Sequence, residues 1–257
     1  PRPWGSKANR EICDWLAREL RGMGYAVARQ GRFDNLVATR PDRPAPEVLV
    51  AAHYDSVAST PGADDNASAV AALLACAQVL ASQQPRLQIA FALFNREEDG
   101  LLGSTDFVDD FLPSAGWRLR ETHVLEMVGF CVHGKGSQRF PRALPFKLRT
   151  TGDFLAVIAN RDSNRLVAPV VDSSRTYQPG LPILGLRVHL GLERHLPVLL
   201  RSDHAPFWRR HIPALMWTDT AELRNPNYHQ PTDLPATLDY DFLAQVTRAL
   251  VLRCLLA

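Results

Sequence analysis

Ile12, Trp15, Leu16 and Leu20, separated by charged residues, recur at the spacing of one helix face and predict an amphipathic helix over residues 8–24, closed by "GMGY". The pattern then shortens. "NLVATR" (35–40) and "EVLVAAHYD" (47–55) read as strands, parted by the Pro-rich turn "PDRPAP". "LQIAFALFN" (87–95) is an almost unbroken apolar run, as expected of a central strand buried on both faces. "THVLEMVGF" (122–130), "LPILGLRVHL" (181–190) and "IPALMWTDT" (212–220) are further strand candidates. An Ala- and Leu-rich stretch from Ala67 to about Ser82 reads as a buried helix, and a short helix is expected from near Leu102. A final helix runs from about Asp239 to Leu256, with Phe242, Leu243, Val246 and Leu250 on one face.

Strands alternating with helices imply a three-layer α/β sandwich, with a central mostly parallel or mixed β-sheet flanked by helices. A chain of 257 residues can form this as one domain, 1–257. Residues from about 131 to 180 are less regular and basic, with "GKGSQRFPRALPF", and are expected to form an excursion that walls a pocket.

Composition narrows the function classes. Hydrophobic residues at 46% and charged residues at 22% are ordinary for a soluble globular protein. A net charge of +2, from 29 basic and 27 acidic residues, supplies no field to recruit nucleic acid or an anionic membrane. No apolar run approaches the ~20 residues that span a bilayer. No signal peptide is legible in "PRPWGSKANR", so the chain is read as soluble with no compartment assigned. Cys13, Cys76, Cys131 and Cys254 form no C-x-x-C pair; Cys76 and Cys254 fall in apolar helical runs and read as core thiols.

In open α/β sheets, ligands bind beyond the carboxyl ends of the strands. Here those ends carry "HYDS" with His53 and Asp55, "NREED" with Glu97 and Glu98, and Glu126. The loop "PGADDNASAV" adds Asp64 and Asp65; "SDHAPF" adds Asp203 and His204; "YHQPTD" adds His229 and Asp233. Asp64, Asp65 and Asn66 also stand where a helix cap would, but a cap needs one carboxylate. Several carboxylates converging on one crevice raise one another's pKa values, and a multivalent cation relieves the repulsion. Two His with three or four carboxylates suit zinc, or two zincs sharing a carboxylate.

"AHYDS", "PGADDNAS", "NREEDGLLGS" and "YHQPTD" together resemble the co-catalytic zinc aminopeptidases, among them the bacterial leucyl aminopeptidases; glutaminyl cyclases share the fold. The resemblance runs in order from about residue 35 to the C-terminus. It implies a zinc-peptidase-like catalytic domain acting on small peptides, with two zinc ions per chain, or one if Glu126 turns away. It implies His53, Asp65, Glu98, Glu126 and His229 as metal ligands, with Asp65 the bridge. Glu97 takes the place of the general base, and Asp55 of the carboxylate that orients His53. Asp203, His204 and Asp233 fall in the surrounding shell or pocket, Asp233 where it could orient His229. Two departures stand out: Glu126 replaces the usual Asp, and Ala69 stands where Gly often follows Ser.

Other chemistries fit less well. A serine hydrolase would need a G-x-S-x-G elbow, which the chain lacks. "GKGSQ" lacks the strand-to-helix setting of a phosphate loop. A glutaminyl-peptide cyclase, usually with one zinc, is the main alternative; a degenerate, non-catalytic binding domain is the other.

Overall fold

The computed structural model describes residues 1–140 and 149–257. Ser6 caps α1 (Lys7–Gly22), its hydroxyl accepting from the backbone of Asn9. Then come β1 (Ala26–Gln30), β2 (Asn35–Thr39), β3 (Val48–His53), α2 (Ala69–Ala81) and β4 (Ile89–Phe94). A continuous helical run follows: α3 (Leu102–Asp106), a π-turn and α4 (Leu112–Ala115). The remaining elements are β5 (Glu121–Glu126), β6 (Leu155–Ala159), α5 (Val167–Tyr177), β7 (Ile183–Arg187), α6 (His204–Arg209), β8 (Leu215–Thr218) and α7 (Tyr240–Leu256).

The eight strands among the described residues form one mixed sheet in the order β1-β2-β4-β3-β5-β8-β6-β7, as the α/β sandwich reading expects. The four central strands, β4, β3, β5 and β8, are mutually parallel, so their carboxyl ends open on one edge. Helices α1, α2, α5 and α7 cover one face around Leu16, Leu73, Val157, Trp217 and Leu250. On the other face Phe94 packs against Phe107 and Phe207, from the α3–α4 run and α6. Among the described residues these helices cover the β4–β5 half of that second face. Across β8, β6 and β7 the helices give way to the segment 188–201.

Several elements differ from the sequence reading. The stretch 131–180 contains β6 and α5, both regular. "LAVIA" is a short strand in an apolar run that begins at Phe154, and α5 carries Pro169 and a Ser-Ser-Arg-Thr run that lower its helix signal. The part of the basic segment at 141–148 lies outside the described residues. Strand β1 is an exposed edge with no apolar alternation, and α6 is only six residues long. The helix expected from Ala67 begins at Ala69; residues Ala63–Ser68 form a kinked π-turn, and no side chain caps it.

Candidate metal centre

Strand β3 ends on His53, whose side chain is 1% exposed. Its Nδ1 lies 3.3 Å from Asp55 Oδ1. Its Nε2 lies 3.4 Å from Asp65 Oδ1, 3.4 Å from Glu126 Oε2 and 3.9 Å from Glu97 Oε2. Across the crevice, His229 Nε2 lies 3.2 Å from Asp65 Oδ2 and 3.1 Å from Glu98 Oε2. Two triads result, His53–Glu97–Glu126 and Asp65–Glu98–His229, and the two oxygens of Asp65 face one histidine each.

These groups fit a pair of cations. Among the described residues, neither ring nitrogen of His53 nor Nε2 of His229 has a hydrogen-bond partner, although all three are buried. An unpaired buried polar atom costs about 1–3 kcal/mol. Nitrogen and oxygen ligands at about 2.0–2.2 Å from one tetrahedral ion stand roughly 3.3–3.6 Å apart. The separations of His53 from Asp65 and Glu126 are of that size, and those of His229 from Asp65 and Glu98 are 0.1–0.2 Å shorter.

The chain positions each group by a local device. Gly62 turns the backbone left-handed before the two aspartates (φ 70°), and a Cβ there would stand 2.4 Å from Asp65 O. Asp64 points away from the histidines. Its carboxylate accepts from Gly129 N at 2.9 Å and from Asn225 Nδ2 at 2.7 Å. Asn66 bonds both ways with the end of β5, donating to Leu125 O and accepting from Met127 N. So of the adjacent aspartates one ties loops together and the other faces the histidines. Glu126, longer than the usual Asp, still reaches His53; the Ser202 hydroxyl donates to its Oε2 at 2.7 Å. Asp55 accepts from the backbone N–H of both Glu97 and Glu98 at 3.3 Å, locking the end of β4 to that of β3.

Positive φ angles at Arg96 (60°), Met127 (47°) and His229 (57°) mark left-handed turns at or beside three of these groups. Such turns cost non-glycine residues about 1–3 kcal/mol and cluster at functional sites.

A sequence profile of peptidase family M28 matches residues 35–136 and 189–252, a span that contains both triads. The chain belongs to peptidase family M28. It is 32% identical over 232 residues to Escherichia coli protein YfbL, covering 86% of this chain and 70% of YfbL. It is 33% identical over 189 residues to Bacillus subtilis aminopeptidase YwaD, covering 72% of this chain but 35% of YwaD. Among solved structures it is similar to the Bacillus subtilis zinc aminopeptidase BSAP, with TM-score 0.61, 27% identity, and coverage of 85% of this chain and 48% of that one. Glutaminyl cyclase from Porphyromonas gingivalis shares the fold, with TM-score 0.73, 21% identity, and coverage of 99% and 91%.

In this M28 chain the remaining sequence candidates fall in different places. Asp203 is fully buried near Glu97 and Glu126, and burial pushes its carboxyl up to about 7. His204 turns away: its Nε2 meets Leu199 O at 2.8 Å, its ring packs edge-on against Trp208, and burial drives its pKa down to about 4. Asp233 does not orient His229. It accepts from the backbone N–H groups of Asp64 and Asp65 at 2.9 and 3.1 Å, because its turn directs the carboxylate under that loop. His229 stacks instead on Tyr228, ring centroids 3.9 Å apart.

Arg2 is a supporting residue the sequence reading missed. Its guanidinium donates to the carbonyls of Tyr54, Pro61 and Gly62, bracing the loop between His53 and Asp65 from behind. A lone arginine near the start of the chain carries no pattern by which to find it.

Without cations this site must hold protons. Burial raises Glu97, Glu98 and Asp203, and the neighbouring carboxylates of Asp65 and Glu98 raise His229 to about 10. Each group binds more protons folded than unfolded, so each withdraws stability as pH climbs. For Asp203 the window runs from its ordinary 3.8 to about 7, and for His229 from 6.5 to about 10. Metal binding runs the other way, tightening as ligands lose protons. The gap in Tm between zinc-loaded and chelated protein should therefore widen from pH 6 to pH 9. His204, with its lowered pKa, acts equally on both forms and cancels. A gap that stays constant with pH would refute the assignment of these groups to a shared cation site.

Proposed function

We propose that this chain is a zinc-dependent aminopeptidase that releases the N-terminal residue of a peptide, with a preference for large apolar first residues. The observation that carries the reading is Asp65, whose two oxygens face His53 and His229 at the mouth of a largely apolar cavity of about 500 Å³.

His53 and Glu126 would hold one zinc ion and Glu98 and His229 the other, with Asp65 between them. Bound zinc supplies Lewis acidity, polarising the scissile carbonyl and lowering the pKa of water towards 7. Glu97, buried and raised in pKa, takes a proton from the attacking water and returns it to the leaving amine. Asp55 keeps Glu97 and Glu98 in place through their backbones and stands against Nδ1 of His53.

The cavity supports the preference for apolar residues. Its floor is two rows of outward-facing strand residues in register, Thr218–Ala156–Leu184 and Met216–Ile158–Leu186. Phe140 and Phe154, before β6, and Leu192, Leu196 and Val198, after β7, add walls. Ala156 is the smallest residue of the floor. Ala156→Phe should raise KM for leucyl and phenylalanyl anilides roughly ten-fold or more, with alanyl anilide little affected. Equal losses on all three would show that the floor does not hold the side chain.

A panel of aminoacyl anilides and Gln-peptides, run with metal analysis on the same sample, tests the whole reading. Anilide cleavage with two zinc ions per chain is expected. One zinc per chain with ammonia release from Gln-peptides would assign the cyclase reaction instead. Metal binding with neither reaction would assign a binding domain.

A further inference from the structure

A second set of metal-ligating side chains lies away from the crevice. Cys131, His133 and Asp239 bring a thiol, an imidazole nitrogen and a carboxylate oxygen within 4.8 Å of one another. Val132 lies between the first two and is held in a β-bridge, its N–H donating to Gly152 O at 2.8 Å. Alternate residues of an extended strand point to one side, so the bridge aims Cys131 and His133 together. Asp239 caps α7. Its Oδ1 accepts from Phe242 N at 2.9 Å, which leaves Oδ2 for His133 Nε2 at 4.0 Å. The backbone of Asp239 is tied to the same strand, its N–H donating to Gly129 O at 2.9 Å.

Cys131 Sγ and His133 Nε2 are 3.8 Å apart. On one tetrahedral zinc, with sulfur at about 2.3 Å and nitrogen at about 2.0–2.1 Å, the two would stand about 3.5–3.6 Å apart. The carboxylate is slightly farther than that geometry needs, and His133, 78% exposed, is free to swing the remaining distance. We propose that Cys131, His133 and Asp239 form a further zinc site, with water in the fourth position, that staples the segment after β5 to the start of α7. A thiolate with an imidazole selects zinc over magnesium or calcium. Binding replaces the thiol proton of Cys131 with the metal, and that proton passes to solvent.

Cadmium and zinc, as simple salts added to chelator-stripped full-length protein, provide the test. The wild type should bind one equivalent more than Cys131→Ser or His133→Ala, and cadmium should produce a thiolate-to-metal charge-transfer absorption that both variants lack. Neither triad of the crevice contains a thiol, so this absorption reports the new site even if the crevice proves to hold no metal. Zinc should also slow alkylation of Cys131 at least ten-fold; the other three cysteines are buried and unreactive in the native fold. Both variants should keep wild-type peptidase activity, His133 being a surface residue whose loss does not threaten folding. An absent charge-transfer absorption, or equal metal content in wild type and both variants, would overturn the proposal.

Discussion

Glu97→Gln is expected to keep its metal and lose its turnover, with kcat falling roughly 10²–10⁴-fold. The substitution preserves size and hydrogen bonding and removes only the ability to carry a proton. Glu97 is suited to that task because burial raises its carboxyl, with Glu126 and Asp203 adding to the rise and His53 opposing it. A carboxylate of raised pKa accepts a proton from water and can deliver it again to a departing amine. Glu98→Gln should behave differently. Its carboxylate faces His229, so the loss should appear first as metal content and only through that as activity. Metal analysis beside single-turnover rates separates the two variants. If Glu97→Gln lost metal while Glu98→Gln kept it, the assigned division between base and ligand would be reversed.

Exhaustive chelation should lower peptidase activity by at least about 10³-fold, because Lewis-acid stabilisation of developing charge contributes several kcal/mol. Zinc should restore it. Asp65→Ala should mimic chelation more completely than the loss of any other single ligand. It removes the one carboxylate that faces both histidines, so both triads lose a member at once. His229→Ala, by contrast, should spare the cation held at His53. Full activity in metal-free protein would remove the basis of the proposed mechanism.

Much of this arrangement was legible in the sequence because its parts are local. The ligand-bearing strand ends lie next to long apolar runs, and "PGADDNAS" and "NREEDGLLGS" concentrate several functional groups in a few residues. The structure adds the reason for the small residue in the second motif: a Cβ on Gly103 would collide with Asn95 O. What the sequence hid depends on contacts between distant segments. Asp233 looked like a partner for His229 by spacing, yet the chain turns it beneath residues 64 and 65. His204 looked like a pocket residue beside Asp203, but consecutive residues at the start of α6 point in different directions. The support given by Arg2 spans 52 to 60 residues, and no periodicity records it. Strand β6 escapes the sequence reading because the six apolar residues from Phe154 to Ala159, between Asp153 and Asn160, are too few to show a period.

The sheet divides its labour between two neighbouring groups of strands. His53, Glu97, Glu98 and Glu126 come from the ends of β3, β4 and β5, bound to each other through Asp55 and Asn66. On the proposed reading the floor beneath a bound side chain comes from β6, β7 and β8; β8 is paired with β5, Met216 opposite Val124, while Ala156 lies one strand farther out on β6. For the proposed peptidase, selectivity and turnover would then be adjustable through different residues. If the proposed function holds, substitutions along the two floor rows, other than at Thr218 opposite Glu126, should retune which residue is released while Glu97 and Glu98 keep their places. A library confined to positions 156, 158, 184, 186 and 216 would explore new substrates on an unchanged reaction centre.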